Sequence, residues 1–299
     1  MSAPSIDIII VNWNTGDYLR DCLRSILAAR SPACTVERVT VVDNASCDAS
    51  MTSLEALDLP LELIHNRGNV GFAAACNQGA AGSRSEFLLF LNPDARLFPD
   101  TLRTVTTFMA NGTVTPIGIC GAQMVDDQGR PVMSCARFPT LRVLFGKMTG
   151  LDRILPTLFP PHHLTTAETT ESRLVDQVIG AFFFVRRELF VRLGGFDERY
   201  FLYFEEVDFA RRARTVGARS YFLKPATVFH AGNVSSAQDR RAQLYQSLRS
   251  RMLYAFDHWP RGQATALLVL SFTVELGARL TNAAVHGDGR AATDVAASY

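Results

Sequence analysis

Residues 6–44, IDIIIVNWNTGDYLRDCLRSILAARSPACTVERVTVVDN, contain the unit that decides the fold. The β-branched run at 6–12 predicts a buried strand, and apolar residues at helical spacing over 17–29 predict a helix. A second β-branched run at 36–44 predicts the next strand. This order and spacing are typical of a βαβ unit, whose two strands are parallel.

The same alternation continues along the chain. The predicted elements are strands at 61–66 and 86–94 and helices at 48–57, 71–82, 238–257 and 263–284. Repeated βαβ units require helices on both faces of the sheet, because parallel strands are buried on both sides. We therefore expect an α/β fold with a mainly parallel central sheet flanked by helices, followed by C-terminal helices.

The composition excludes several classes of protein. With 47% hydrophobic residues, 20% charged residues and a net charge of +1, the chain of 299 residues is not disordered. The neutral total gives no reason to expect a nucleic-acid partner. One segment, 199–261, holds 11 basic and only 5 acidic residues. It is either a solvated face or a surface that meets phosphates or a membrane.

The cysteines and the chain ends predict a compartment. None of the six cysteines forms a C-x-x-C pair, and no basic segment precedes the first strand, so we expect a reducing, cytoplasmic location. The uncharged run at 262–274 has thirteen residues, fewer than the roughly 18 that a spanning helix needs. This length predicts an interfacial or buried helix rather than a membrane span.

Polar residues follow four of the predicted strands. Ligands of open α/β sheets bind at the carboxyl ends of the strands. Turn formation would explain any one of these polar ends, but four in succession indicate a polar ligand cleft. The polar strand ends are Asn12 with Asn14, Asp43 with Asn44, Asn66 with Asn69, and Asn92 with Asp94.

Two common nucleotide-binding motifs are missing. The first strand is followed by NWNTGD (12–17) rather than G-x-G-x-x-G, and no G-x-x-x-x-G-K-[ST] occurs. These absences disfavour a dinucleotide-dependent dehydrogenase and a P-loop NTPase.

Four stretches together resemble a known family. They are IIIVNWNTGDYLRDCLRSIL (8–27), VVDNAS (41–46), NVGFAAACNQG (69–79) with LNPDARL (91–97), and GGFDERYFLYFEEVDFARRARTVG (194–217). In this order they are similar to the inverting family 2 glycosyltransferases, whose nucleotide-binding α/β domain is the GT-A fold. LNPD and the 194–217 string especially resemble the bacterial branch that includes rhamnosyltransferases of cell-wall and O-antigen polysaccharides.

The resemblance implies the reaction and its partners. Such an enzyme moves a sugar, here rhamnose, from a nucleotide diphosphate sugar such as dTDP-rhamnose to a saccharide or a polyprenyl-diphosphate-linked acceptor. It needs a base for the acceptor hydroxyl and a divalent cation, Mg²⁺ or Mn²⁺, for the diphosphate.

The family pattern assigns the catalytic and metal residues. Its base is the second acid of a Glu-Asp pair, which falls on Glu206, with Glu205 before it. Its Asp-x-Asp metal motif lacks the first Asp here, which leaves Asp94, and His230 is expected near the metal or the diphosphate. Ordinary roles stay open for all four, as first-turn acids, an Asx turn and a strand-end histidine. The nucleotide-binding residues implied are Asn14, Asp43, Asn44, Asn69, Gly71, Asn77 and Asp94.

We expect two segments, a GT-A domain at 1–235 and a helical extension at 236–299 that contacts a membrane or a second copy of the chain. The enzyme would then work in the cytoplasm, at the inner face of the cell membrane. Two alternatives stay open. A sugar nucleotidyltransferase would need a glycine-rich motif where NWNTGDYL (12–19) stands, and a non-catalytic carbohydrate-binding descendant would explain the missing first Asp.

Overall fold

The computed structural model describes residues 3–52, 54–111, 115–232, 239–286 and 289–299. Its strands are β1 (Ser5–Asn12), β2 (Thr35–Asp43), β3 (Leu61–His65), β4 (Phe87–Leu91), β5 (Ala95–Leu97), β6 (Ile117–Val125), β7 (Cys135–Ala136), β8 (Arg173–Val175), β9 (Gln177–Val178), β10 (Phe182–Arg186) and β11 (Arg219–His230). Its α-helices are α1 (Tyr18–Ala28), α2 (Phe72–Ala80), α3 (Thr101–Ala110), α4 (Leu141–Thr149), α5 (Leu151–Ile154), α6 (Arg187–Arg192), α7 (Glu205–Thr215), α8 (Arg240–His258), α9 (Arg261–Leu270), α10 (Leu276–Val285) and α11 (Gly289–Ser298).

The main sheet has the strand order β3-β2-β1-β4-β10-β6-β11-β5, and β8 pairs with β11. The strands β3, β2, β1 and β4 pair in parallel with one another in that order, and β6 pairs in parallel with β11. The antiparallel strand β10 lies between β4 and β6. The prediction of an α/β fold with a mainly parallel sheet is therefore confirmed, and β10, β5 and β8 are its antiparallel members.

The strands β1 and β4 are buried because they are apolar along most of their length. From Ile6 to Asn12 every residue of β1 is buried, and so is all of β4. The helix α1 adds Leu19, Leu23 and Ile26 to the same core, each fully buried. Burial of such a side chain contributes about 1.5–3 kcal/mol, so these strands hold their register firmly.

The predicted helix at 48–57 is wrong. Among the described residues of this range, the helical structure is limited to a short 3₁₀ turn at Leu54–Ala56. The Asp48 carboxylate explains the difference, because it accepts N–H bonds from Gly16 at 2.8 Å and from Ser50 at 3.1 Å. A short acidic side chain that binds nearby backbone N–H groups competes with helix formation.

The chain divides into two compact units. The first holds the described residues up to Ala136, Leu164–Phe201, and those from Glu205 to 232. The second holds Arg137–His163, Leu202–Phe204 and the described residues from 239 onward. The predicted boundary at 235/236 lies outside the described residues, so the two-domain division stays a prediction.

The second unit contains a helix that extends well beyond the uncharged run at 262–274. Helices α9 and α10 are joined by a π-type turn, Ser271–Glu275, into a continuous helix over Arg261–Val285. Glu275 does not end this helix, because it is buried and paired with Arg251 at 2.5 Å and with Arg279 at 2.8 Å. With a mean hydropathy of 1.4 in its most apolar window, this is the one helix of the described chain that could cross a membrane by length and composition. The expectation that the apolar segment is too short to span is therefore corrected.

Candidate active site

The first three polar strand ends meet in space, as the parallel order requires. Asn12 at the end of β1 pairs in register with Asp43 at the end of β2. Asn12 Nδ2 donates to Asp43 Oδ1 at 3.0 Å, and Asp43 Oδ2 accepts from the backbone N–H of Ser46 at 3.2 Å. Asp43 is 5% exposed. These two donors hold its carboxylate at the carboxyl edge of the sheet, where ligands of such sheets bind.

A residue that the sequence reasoning missed lies beside Asp43. The Nδ1 atom of His65, the last residue of β3, is 3.9 Å from Asp43 Oδ2. The imidazole is largely exposed, whereas the carboxylate is buried. The sequence could have indicated His65, because it ends the strand that pairs in parallel with β2. It therefore lies at the same edge of the sheet as Asp43.

Asn14 holds a neighbouring loop in place. Its backbone is left-handed, with φ of 52°, and its Oδ1 accepts from the backbone N–H of Cys47 at 2.8 Å. The Cys47 Sγ lies 3.5 Å from the same oxygen. The Asn14 carboxamide therefore ties the turn after β1 to the loop after β2, and its predicted contact with a nucleotide stays a prediction.

Asn44 and Asn69 order the loop that leads into α2. The Asn44 Nδ2 donates to Asn69 Oδ1 and to the carbonyl of Gly71, both at 3.2 Å. Asn69 Oδ1 also accepts from the Gly71 backbone N–H at 3.0 Å. These bonds hold three of the predicted nucleotide-binding residues together at the start of α2.

Gly71 is needed for a close approach of two backbones. A Cβ at this position would lie 2.6 Å from the carbonyl oxygen of Phe201, and φ is +89°. The Phe72 N–H donates to that same oxygen at 2.7 Å. A glycine here therefore lets the backbone of Phe201 lie against the start of α2.

Asn77 has a role that the motif did not suggest. Its Nδ2 donates to the Phe196 carbonyl at 2.9 Å and to Glu198 Oε1 at 3.0 Å, and its Oδ1 accepts from the Phe196 N–H. A Cβ on Gly195 would lie 2.5 Å from that Oδ1. Both amide hydrogens of Asn77 are used to hold the Gly-Gly-Phe turn, so nucleotide contact by Asn77 stays a prediction.

The two predicted metal ligands lie together. His230 Nε2 is 3.3 Å from Asp94 Oδ1, Asp94 is 6% exposed, and the buried Nε2 makes no hydrogen bond. Adjacent ligands of a cation bound at about 2.1 Å lie about 3 Å apart, so this spacing fits a shared ion. Among the described residues, no group of three or more His, Cys, Asp or Glu side chains is arranged to hold a metal ion by itself. Mg²⁺ commonly uses one or two carboxylates, waters and substrate phosphates, so the pair suits an ion that arrives with a diphosphate.

Glu205 and Glu206 begin α7 and differ in their surroundings. Glu205 is 5% exposed, its Oε2 has no hydrogen-bond partner, and burial followed by the charge of Glu206 raises its pKa well above the ordinary value. Burial also raises the pKa of Glu206, but backbone N–H groups, among them those of Val207 and Gly180, oppose that rise. The Oε2 atom of Glu206 also lacks a hydrogen-bond partner, and the raised pKa of both carboxyls favours a pair that holds a proton. Glu206 as the base stays a prediction.

The backbone that leads into α7 is unusual. Tyr203 and Phe204 have φ of 67° and 71°, a left-handed conformation that bulky side chains seldom adopt. Such residues cost on the order of 1 kcal/mol or more each and cluster at active sites. No residue type in this stretch indicates the left-handed conformation, because aromatic residues are more typical of a buried strand or helix.

α7 is fixed by an aromatic cluster on its buried face. The Phe209 ring lies 5.7 Å from Phe183, 5.5 Å from Phe190 and 5.4 Å from Phe196 between ring centroids. Aromatic pairs at these distances contribute about 0.5–1.5 kcal/mol beyond the area that they bury. The first turn of α7, which carries both glutamates, is therefore anchored to the sheet through β10.

Comparison with known proteins identifies the family. The family model for glycosyl transferase family 2 matches residues 7–193, more than half of the chain. The chain belongs to glycosyl transferase family 2. As a glycosyltransferase it is an enzyme, which confirms the predicted family and activity. The nucleotidyltransferase alternative is set aside by the same match.

Two relatives of this family 2 enzyme are rhamnosyltransferases. An N-acetylglucosaminyl-diphospho-decaprenol L-rhamnosyltransferase of Mycobacterium tuberculosis is 26% identical over 269 residues, which cover 84% of each chain. Rhamnosyltransferase WbbL of Escherichia coli is 27% identical over 179 residues, 59% of this chain and 62% of that protein.

Solved structures of glycosyltransferases share the fold. The mannosyltransferase PcManGT from Pyrobaculum calidifontis, solved with GDP-Man and Mn²⁺, has a TM-score of 0.57 at 19% identity, over 98% of this chain and 79% of its own. GalNAc-T7, solved with UDP, GalNAc and Mn²⁺, has a TM-score of 0.61 at 15% identity, over 83% of this chain and 47% of its own. These likenesses confirm the predicted GT-A fold.

Proposed function

We propose that this family 2 enzyme transfers rhamnose from dTDP-rhamnose to a sugar carried on a polyprenyl diphosphate. The observation that carries the proposal is the similarity to the M. tuberculosis rhamnosyltransferase, whose name specifies a diphospho-decaprenol acceptor, over 84% of both chains. A second relative, from E. coli, is also a rhamnosyltransferase. The non-catalytic alternative is disfavoured by the intact acids Asp94, Glu205 and Glu206.

In this proposal Glu206 is the catalytic base. Its carboxylate takes the proton of the acceptor hydroxyl while the hydroxyl oxygen attacks the anomeric carbon. The bond from that carbon to the diphosphate oxygen breaks on the opposite face, so the configuration is inverted and the nucleoside diphosphate leaves. Glu205 keeps its own proton, because a second charge beside Glu206 in a buried site is unfavourable.

Asp94 and His230 would hold the divalent cation. When bound, the cation neutralises the negative charge that grows on the leaving diphosphate. Asp94 Oδ1 offers the oxygen ligand that Mg²⁺ and Mn²⁺ prefer, and His230 Nε2 offers an unpartnered nitrogen beside it. The carboxylate of Asp43 can accept hydrogen bonds from the base or the ribose of the nucleotide.

A panel of donors tests the proposed substrate. We expect dTDP-rhamnose with Mn²⁺ to raise the melting temperature by about 5 °C at 100 times its Kd, because a ligand that binds only the folded state stabilises it. GDP-mannose and UDP-N-acetylglucosamine are the matched controls and are expected to raise it by less than about 1 °C. Transfer of labelled rhamnose to N-acetylglucosaminyl-diphospho-polyprenol completes the test. A stronger response to either control donor, without rhamnose transfer, contradicts the proposed donor.

We also propose that the enzyme is cytoplasmic and contacts the inner face of the membrane through its second unit. This unit exposes large apolar side chains in two segments. They are Ile154, Leu155 and Leu158 in one, and Val269, Phe272 and Val285 in the other. Exposed apolar groups beside a cationic residue, as at Ile154 and Arg153, are typical of proteins that lie on an anionic bilayer. The Arg251–Glu275–Arg279 ion pairs favour a helix that lies on the membrane over one that crosses it.

Vesicle binding tests the membrane contact. Phe272→Asp and Ile154→Asp are each expected to weaken sedimentation with phosphatidylglycerol vesicles by about tenfold, since each removes an apolar side chain from the interface. Val191→Asp, at a 63% exposed position of the first unit, is the matched control and is expected to bind like the wild type. The proposed membrane contact is contradicted if only Val191→Asp loses vesicle binding. It is also contradicted if all three variants bind vesicles like the wild type. A stable dimer without lipid would instead favour contact between two copies.

A further inference from the structure

The left-handed backbone before α7 needs contacts that hold it. Tyr203 and Phe204 have φ of 67° and 71°, and α7 begins at the next residue, Glu205. Bulky residues leave this conformation unless their surroundings enforce it, because the Cβ atom crowds the following carbonyl oxygen. We therefore searched for the groups that hold the turn Leu202–Phe204, which belongs to the same compact unit as α8.

Two hydrogen bonds from α8 reach the first two residues of this turn. The Ser250 hydroxyl donates to the Leu202 carbonyl at 2.8 Å. Gln243 Nε2 donates to the Tyr203 hydroxyl at 2.9 Å. Ser250 is fully buried, and a buried hydroxyl needs a partner, so the Leu202 carbonyl accounts for a serine at this position of the helix.

An aromatic contact from α8 holds the third residue of the turn. The ring of Phe204 lies 5.6 Å from the ring of Tyr254 between centroids, and Tyr254 is 1% exposed. Tyr254 is itself fixed, because its ring lies 4.7 Å from His258 and 6.3 Å from Trp259. Aromatic pairs at such distances attract one another beyond the area that they bury. Helix α8 therefore contacts every residue of the turn.

The three contacting residues of α8 lie on one face of the helix. The second and third follow the first by seven and eleven residues, so at 100° per residue their directions fall within about 40° of one another. This arrangement lets one straight helix hold the whole turn. The residues, which we name the α8 face, are Gln243, Ser250 and Tyr254.

The turn determines where the two glutamates lie. The chain is fixed just before it, because the Phe201 carbonyl accepts the Phe72 N–H at 2.7 Å. The dihedral angles of Phe204 set the direction in which α7 leaves the turn, so a change there would move Glu205 and Glu206. Misplacement of a reacting group by about 1 Å can lower a rate by about 10²-fold.

We propose that the α8 face positions the carboxyl pair of α7, by holding the Leu202–Phe204 turn in its left-handed conformation. This inference rests on the proposed function for the role of Glu206 and adds what keeps that carboxylate in place. The residues of the α8 face act through the backbone of the turn, so they are positioning residues. Their loss is therefore expected to change kcat and to leave donor binding unchanged.

Ser250→Ala tests the hydrogen bond to the turn. We expect kcat for rhamnose transfer from dTDP-rhamnose to fall about tenfold, and the Kd of the donor to stay within about twofold. Ser247→Ala, at a partly exposed position of the same helix, is the matched control and is expected to behave like the wild type in both measurements. Wild-type kcat in Ser250→Ala overturns the inference.

Glycine and alanine at one position separate backbone conformation from packing. Tyr203→Gly and Tyr203→Ala both lose the ring and its hydroxyl, but glycine adopts a φ of 67° without strain. We expect kcat of Tyr203→Gly to exceed that of Tyr203→Ala by at least about threefold, well below both melting temperatures. If the turn contributed to stability alone, the two variants would differ in melting temperature but not in kcat. Equal kcat values therefore overturn the inference.

Hydrogen exchange gives a readout that needs no substrate. In Ser250→Ala, backbone N–H groups of the peptide 205–211 are expected to exchange about tenfold faster than in the wild-type chain, because the start of α7 is less firmly held. Tyr245→Phe, which removes a hydroxyl from a 49% exposed residue of α8, is the control and is expected to exchange at the wild-type rate. Unchanged exchange in Ser250→Ala contradicts the proposed positioning.

These measurements separate the inference from the proposed function. If Glu206→Gln abolishes transfer while Ser250→Ala keeps the wild-type kcat, the positioning role alone is overturned. If the wild-type chain transfers no rhamnose from dTDP-rhamnose, the proposed function is contradicted. Exchange at 205–211 in Ser250→Ala then still decides whether the α8 face holds the start of α7.

Discussion

Glu206→Gln is expected to lower kcat for sugar transfer by about 10²–10⁴-fold, the usual cost of losing a general base. Glutamine has nearly the same shape and keeps the hydrogen bond from the Gly180 N–H, but it does not take up the proton of the acceptor hydroxyl. Binding of the donor is expected to stay within about twofold, because the change affects the transition state rather than the ground state. Single-turnover rates and donor Kd values measure the two effects separately.

Glu205→Gln is the matched control for this substitution. Glutamine resembles the protonated carboxyl that burial and the charge of Glu206 favour at this position, so we expect a change in kcat of less than about threefold. The reverse pattern, with an inactive Glu205→Gln and an active Glu206→Gln, would assign the base to Glu205.

The pH dependence gives a second readout of the same group. Because burial raises the pKa of Glu206, the base gains its proton at a higher pH than an exposed glutamate does. The value of kcat/KM is therefore expected to fall as the pH decreases through that raised pKa. In a plot of log(kcat/KM) against pH, this acid limb has a slope of one. In Glu206→Gln this acid limb is expected to disappear from the residual activity.

Asp94→Asn is expected to raise the Mn²⁺ concentration for half-maximal rate by about 100-fold, since the amide keeps the size of the side chain but loses its charge. A titration of transfer rate against Mn²⁺, with Mn²⁺ binding followed by electron paramagnetic resonance in the presence of dTDP, measures the change. His230→Gln removes the Nε2 atom that lies 3.3 Å from Asp94 Oδ1. We expect it to raise the Mn²⁺ concentration for half-maximal rate by less, about tenfold. An unchanged Mn²⁺ requirement in Asp94→Asn would remove Asp94 from the metal site.

Periodicity predicted the core of the fold because burial decides it. The strands β1 and β4 are mostly apolar and buried, and β2 is buried over Val39–Asp43, so their positions followed from the pattern. The prediction of a helix at 48–57 was wrong because the Asp48 carboxylate binds backbone N–H groups. The spacing of apolar residues does not reveal this competition between side chain and helix. The helix predicted at 263–284 is close to the observed Arg261–Val285. Its suitability to span a membrane was underestimated because the uncharged run was counted only up to Glu275, and the sequence does not show that this residue pairs with two arginines.

The sequence predicted which residues belong to the candidate site, but not which contacts each of them makes. The family resemblance implies metal roles for Asp94 and His230; their Oδ1 and Nε2 atoms lie 3.3 Å apart, and the metal role stays a prediction. Motifs do not distinguish a residue that meets a ligand from one that holds a loop, which is the observed role of Asn77. Nor do they reveal a left-handed backbone at Tyr203 and Phe204, because no glycine marks it.

The placement of the cysteines has a practical consequence for chemical labelling. Five of the six thiols are buried, and only Cys47 is exposed. Burial raises the pKa of the thiols of Cys22, Cys76 and Cys120, so they react poorly with alkylating reagents. A maleimide fluorophore is therefore expected to attach at Cys47, whose N–H binds Asn14 beside the end of β1. The unaltered sequence thus provides a single attachment point for an optical sensor at this edge of the sheet.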